Sequence, residues 1–379
     1  MTGALFNAPV QSLIKMKSIL FLLVYLVLSL SGIYCQQLKI KGKFQIRLPA
    51  NCGFRFDASQ LFYDDKSNET YLCLLYRDTR TINCYNFETG ELKKTITFMA
   101  EGPNGIGYEA AAFYIDNFEN IFLYSYWEHS IFLTNEKGEI RDRIQLPNES
   151  GDLPMVEPGN LSPLIKVGDE LFLTGRLTSY TGKPVRQPIL ALNAKTKKIT
   201  SIGISPFNLG SGNFDMKDFG HFDYAPDKGY FIFDVGMSDS VYLVRKGAIY
   251  GKPAKSSYLK PILPIGSYDA KRVLSKAERI KYQAGNTYLG VKYDPHRQVY
   301  YRFAVKPDQT EAAYRGEFFE QVVMVLDLNL NIIDEIELPK ESVADMCFVG
   351  PKGLYIANHE RYQNENDNYL YFDVYNFSK

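Results

Sequence analysis

Little in this 379-residue chain suits metal or redox chemistry, because it holds one Trp, four His and five Cys. Five cysteines in so long a chain are too few for a disulfide scaffold. Charge of one sign is also missing: 43 basic residues cancel 43 acidic ones. No global field is left to hold nucleic acid or an anionic membrane surface. Long apolar runs are absent too. The longest, Ile19 to Leu28, falls well short of the roughly 20 residues that a spanning helix needs. Nucleophile-elbow, HExxH and paired-carboxylate signatures do not occur. No metal site and no cofactor is expected.

What is abundant is aromatic: 28 Tyr and 25 Phe stand among 28 Gly and 18 Pro. Aromatic and β-branched residues set between frequent turn formers favour sheet over helix.

The N-terminus reads as a targeting segment. Lys15 and Lys17 precede the apolar stretch, and Ser29, Ser31 and Gly32 follow it, the layout of a secretory signal peptide. Residues 1–35 are assigned to it, with Met1 to Lys15 as an upstream start lying outside the signal proper, and residues 36–379 to the mature domain. Cys35 sits where a bacterial lipoprotein carries its acylated cysteine, although Tyr34 replaces the small residue usual before it. Export follows, to the periplasm or the outer membrane, with a lipid anchor at Cys35 as the sole membrane attachment or with cleavage nearby. Cys73 and Cys84 are symmetric about Asp78-Thr79, so a hairpin sets them opposite each other as a disulfide or as buried thiols.

A short strand pattern recurs six times: YLCLL at Tyr71, IFLYS at Ile121, LFLTG at Leu171, YFIFD at Tyr230, VYYRF at Val299 and LYIAN at Leu354. Intervals of 50 to 69 residues match four short strands with loops, the unit of a propeller blade. Another strand precedes each pattern, such as AFYI at Ala112 or HFDYA at His221. A hairpin with a polar turn follows it, such as TINCYNFETGEL at Thr81. The sixth unit stops at its third strand, YLYFDVYNF, and KFQIRL at Lys43–Leu48 supplies the missing fourth. The fold class is therefore all-β: a six-bladed β-propeller whose N-terminal strand closes the last blade. Two stacked sandwiches would explain neither the spacing nor the missing strand. One inserted amphipathic helix is expected over Asp269 to Gln283.

With strands A to D running outward from the axis, A–B and C–D turns share one face, and B–C and D–A connections share the other. The latter grow long in the third, fifth and sixth units, which marks that top face as the binding surface. Residues ending B strands there are Arg77, Trp127, His129, Arg176, Arg302, His359 and Arg361, expected to ring the channel mouth. Trp127 could stack on a sugar and the arginines could hold carboxylates. A bland packing role competes with this for each residue. His129, His221 and His359 map to the top face and His296 to the other, without metal-binding spacing.

GPNGIG at Gly102–Gly107 lacks the Lys-Ser/Thr of a phosphate loop and suits a tight crossover between blades. The six units, the signal peptide ending near a cysteine and EGPNGIG at Glu101–Gly107 together resemble an exported, TolB-like six-bladed propeller family of Bacteroides-type bacteria, a domain of unknown function. The resemblance covers Leu38 to Lys379. It implies a fold and an envelope address, and supplies no catalytic residues. The expected function is a monomeric binding or scaffold module for a glycan, peptide or envelope protein. The alternative is a lyase or hydrolase on acidic oligosaccharides, with His129, His221 or His359 as general base.

Overall fold

In the computed structural model, six four-stranded antiparallel sheets follow one another along the chain from Leu38 to Phe377. The structure describes residues 37–146, 156–175, 189–202, 220–236, 238–245, 248–259, 287–306 and 320–377. The signal segment with Cys35, Arg176 and the helix expected over Asp269 to Gln283 lie outside the described residues.

Blade 1 holds β2 (Ala58–Asp64), β3 (Glu69–Tyr76), β4 (Thr81–Asn86) and β5 (Leu92–Thr97). Blade 2 holds β6 (Ala110–Asn117), β7 (Asn120–Ser125), β8 (Ser130–Thr134) and β9 (Ile140–Gln145). Blade 3 holds β10 (Ile165–Val167), β11 (Glu170–Thr174), β12 (Ile189–Asn193) and β13 (Ile199–Ile202). Blade 4 holds β14 (Gly220–Ala225), β15 (Tyr230–Val235), β16 (Ser240–Arg245) and β17 (Ala248–Pro253). Blade 5 holds β18 (Thr287–Asp294), β19 (Val299–Val305), β20 (Gln321–Leu326) and β21 (Ile332–Glu337). All six repeated patterns fall on the second strand of a blade.

Blade 6 takes β22 (Ser342–Gly350), β23 (Gly353–Asn358) and β24 (Tyr369–Phe377) from the end of the chain and β1 (Leu38–Arg47) from its beginning. The closing strand is longer than Lys43–Leu48. It pairs from Leu38 opposite Phe377 to Arg47 opposite Tyr369, with a register shift between Ile40 and Gly42. Phe44 anchors it, with ring centroids 5.5 Å from Phe87, 5.6 Å from Tyr355 and 6.0 Å from Phe372. Phe87 belongs to the C–D turn of blade 1, so the same ring ties the last blade to the first. Closure removes two open sheet edges.

B strands are nearly all apolar and buried, because both faces of each blade are covered by its neighbours. D strands alternate instead: Leu92–Thr97 and Ile140–Gln145 expose every second residue. Blades are keyed by their C–D turns. Gly138 (φ +75°) packs so tightly that an added Cβ would stand 2.5 Å from the Thr97 carbonyl oxygen of blade 1. Gly90 (φ +72°) meets the Gln45 carbonyl of blade 6 at the same 2.5 Å. Only glycine combines that dihedral with that approach.

EGPNGIG is a crossover between blades 1 and 2. The amides of Ile106 and Gly107 return to the carbonyls of Met99 and Ala100, at 2.9 and 3.1 Å. Asn104 Oδ1 accepts the amide of Ile140 at 3.0 Å, beside the register shift between β8 and β9.

The one α-helix among the described residues, α1 (His359–Asn364), fills the B–C connection of blade 6 and escaped the sequence reading. Asn358 starts it by accepting the Arg361 amide at 2.9 Å, while its own amide group donates to Asp373 at 2.7 Å. Arg361 and Glu365 pair at i and i+4, 2.8 Å apart.

Candidate functional site: the ring axis and its top rim

Residues 156–164, the approach to blade 3, lie across the axis on the top side. Asn160 reaches the opposite side of the ring. Its Nδ2 donates to the carbonyls of Asp345 (2.9 Å) and Cys347 (2.6 Å) on β22, and its Oδ1 accepts from Ser59 Oγ on β2 at 2.6 Å. Leu161 packs with the blade 5 and 6 core. The hydroxyl of Ser162 stands 2.9 Å from His221 Nδ1 on β14. One short segment therefore touches blades 1, 4, 5 and 6 and closes the channel from above. Asn160 opens an N-x-S sequon, yet its side chain is buried and fully used.

Below this plug lies a cavity of about 200 Å³. Ser59, Leu61, Asp223, Lys292, Phe348 and Val349 line it, and Pro226 and Pro295 carry it to the A–B turns of blades 4 and 5. These residues come from the innermost strands, where every second side chain faces the axis. Burial raises the Asp223 carboxyl and the nearby Lys292 ammonium opposes that. Burial pulls the His221 imidazole down to about 4, so it is neutral at physiological pH.

The residues expected to ring the mouth part company. Arg302 is not on the rim: it sits within β19, 0% exposed, between blades 5 and 4. Its Nη2 donates to Asp234 Oδ1 (2.7 Å) and the Ser238 carbonyl (2.5 Å), and its Nη1 to the Ala254 carbonyl (2.6 Å). The guanidinium lies 3.3 Å from the Tyr288 ring centroid. A guanidinium can be buried there because a carbonyl of the blade 4 B–C turn, another just past β17 and a carboxylate meet it together.

Arg77 stays near the top of β3. Its Nε stands 3.2 Å from Asp57 Oδ1 and its amide donates to Oδ2 at 2.8 Å. Arg361 packs over Tyr371, 4.4 Å from the ring, and pairs with Glu365. His359 lies edge-on to Phe54 at 4.7 Å, with Nδ1 3.3 Å from Glu341. His129 takes a left-handed conformation (φ +47°) with Nδ1 3.4 Å from the Tyr124 hydroxyl. The three candidate bases thus sit on blades 2, 4 and 6, each engaged by its own neighbours.

Trp127 is different. It is 67% exposed on the B–C turn of blade 2, with Tyr126 edge-on at 5.9 Å. The adjoining Glu128 accepts from Arg143 at 2.8 Å and packs against Gly107, which brings exposed Tyr108 to the same rim.

Cys73 and Cys84 are direct cross-strand partners, as the hairpin requires, but no disulfide joins them and both are free. They are buried between Leu75, Ile82, Ile96 and Phe98, where burial and the facing thiol hold the Cys73 thiol well above its usual range. Among the described residues, no group of three or more His, Cys, Asp or Glu is placed to hold a metal ion.

A sequence profile described as a domain of unknown function, DUF4221, matches residues 54–337. The chain belongs to the DUF4221 family. A solved DUF4221 member from Bacteroides vulgatus shares 21% identity with it at a TM-score of 0.70, covering 89% of this chain and 97% of that one. A Bacteroides fragilis protein described as exported shares 10% identity at a TM-score of 0.57, covering 90% of this chain and 96% of that one. At these identities the likeness concerns the fold. No curated protein matches the sequence.

Sequence reasoning missed Asn160, Asp223 and Lys292. For Asp223 and Lys292 the signal was alternation within the first strand of a unit, which sets polar side chains such as His221 and Asp223 on the axis.

Proposed function

We propose that this DUF4221 protein is an exported, non-catalytic propeller of the bacterial cell envelope that binds a glycan through its top rim at blades 1 and 2. The observation that carries this is the solvent-facing Trp127, braced edge-on by Tyr126 and close to exposed Tyr108. A large exposed indole costs solvation unless something covers it, and a sugar ring offers apolar C–H edges to an aromatic face. Arg143 and Glu128 supply directional hydrogen bonds beside it.

The envelope address is supported by the basic, apolar and small-residue run from Lys15 to Gly32 and by the exported B. fragilis relative. Cys35 is the point where an acyl anchor would attach.

A glycan array probed with purified residues 38–379, repeated with Trp127→Ala, tests the reading. Saccharide binding lost at least tenfold in the variant, with an unchanged melting temperature, is expected. Binding that survives the substitution would remove this rim from consideration.

A further inference from the structure

Lys292 presents a problem of charge. It projects from the innermost strand of blade 5 and is only 8% exposed, yet its ammonium forms no hydrogen bond and no ion pair among the described residues. An ammonium carries three donors, and here they face the cavity with no acceptor among the described residues within hydrogen-bond reach. Asp223, from the innermost strand of blade 4, faces the same cavity. It accepts the amides of Tyr224 and Tyr293, both at 2.9 Å, and keeps further lone pairs free. The two opposite charges share one small cavity and attract each other across it without a hydrogen bond between them.

The other wall is apolar, formed by Leu61, Phe348 and Val349. At about 200 Å³ the chamber is smaller than the roughly 300–1,000 Å³ pockets that take drug-sized ligands. An occupant must therefore be small, bear a negative group for Lys292 and a positive donor for Asp223, and offer an apolar portion to the far wall.

We propose that the axial cavity is a binding site for a free α-amino acid with an apolar side chain. Its carboxylate is held by Lys292, its ammonium by Asp223, and its side chain by Leu61, Phe348 and Val349. Entry is from the A–B turn face, past Pro226 and Pro295, since residues 156–164 close the other side. This site is independent of the Trp127 rim and stands or falls separately from the glycan reading.

Thermal-shift screening of residues 38–379 with the apolar L-amino acids, one at a time, followed by calorimetric titration, tests it. The probes for the charge pattern are L-leucine, 4-methylpentanoate, which lacks the amine, and 3-methylbutylamine, which lacks the carboxylate. The wild type is expected to bind L-leucine at least tenfold more tightly than either. Lys292→Met should abolish that binding at some cost in melting temperature, because it also takes from Asp223 the cation that opposes its burial. Asp223→Asn should erase the preference for L-leucine over 4-methylpentanoate. No saturable binding of any apolar amino acid, equal affinity for L-leucine and 4-methylpentanoate in the wild type, or undiminished binding in Lys292→Met each overturns the proposal.

Discussion

Arg302 Nη2 and Asp234 Oδ1 stand 2.7 Å apart with both side chains inaccessible to solvent, one on the B strand of blade 5 and the other on the B strand of blade 4. The pair is a rivet between adjacent sheets: the same guanidinium also takes the carbonyls of Ser238 in the blade 4 B–C turn and of Ala254 just past β17. Removing one partner of such a buried pair leaves the other charge uncompensated, at a cost of about 3–5 kcal/mol. Arg302→Ala should lower unfolding free energy by that amount in urea titration. A loss under about 1 kcal/mol would show that the cation is held elsewhere.

The pH dependence can be signed from His221. Burial holds its imidazole at about 4 in the fold, against about 6.5 when free. Between those values the unfolded chain binds a proton and the fold does not, so stability falls as pH drops from about 6.5 to about 4. The loss is at most roughly 3 kcal/mol, at ~1.4 kcal/mol per pH unit. Asp223 and Asp345 act in the opposite sense, since burial raises their carboxyls and the fold takes up their protons first. Subtraction isolates the imidazole. His221→Asn should lose about 2 kcal/mol less than wild type between pH 7 and pH 4.5. Equal losses would mean that the imidazole titrates normally.

Gly138 and Gly90 carry the blade spacing. Each needs a positive φ, and each would drive a Cβ into a carbonyl oxygen of the neighbouring outer strand at 2.5 Å. Gly138→Ala should therefore cost about 1–3 kcal/mol from dihedral strain, and more if the blades must part. Differential scanning calorimetry reads it as a lower melting temperature. Gly229, also left-handed but with nothing within 4 Å of an added Cβ, is the control that should cost less.

Asn160 tests the plug. Its amide donates to two carbonyls, so Asn160→Asp, nearly isosteric, would set a carboxylate against the oxygens of Asp345 and Cys347. The repulsion and lost donors should destabilise by about 3 kcal/mol and expose residues 156–164 to protease. A variant with wild-type proteolytic resistance would show that Asn160 does not hold the segment down.

The blades were legible in the sequence because each B strand is a short aromatic or β-branched run between turn formers, buried on both sides. The closure was legible because one unit lacked a strand that the N-terminus could supply. The site was harder. Arg302 reads as a rim residue when VYYRF is taken alone. Its burial follows only from Asp234 in the preceding unit and the carbonyls of Ser238, Asp239 and Ala254, which no sequence displays. Lys292, in YLGVKYD, looks like an ordinary surface lysine until alternation is counted inward rather than outward. Asn160 is invisible locally, since its partners lie about a hundred residues or more away in Ser59, Asp345 and Cys347. The helix His359–Asn364 is too short for its periodicity to register, and its cap at Asn358 looks like a strand end.

All of this geometry depends on Leu38–Arg47 completing the sixth sheet, because that pairing sets the inner strands around one axis. Hydrogen–deuterium exchange read by mass spectrometry measures it directly. Amides of residues 38–47 should be as protected as those of 369–377 and should open with them in one transition. Exchange of 38–47 within seconds, while 369–377 stays protected, would contradict a ring closed by its own first strand.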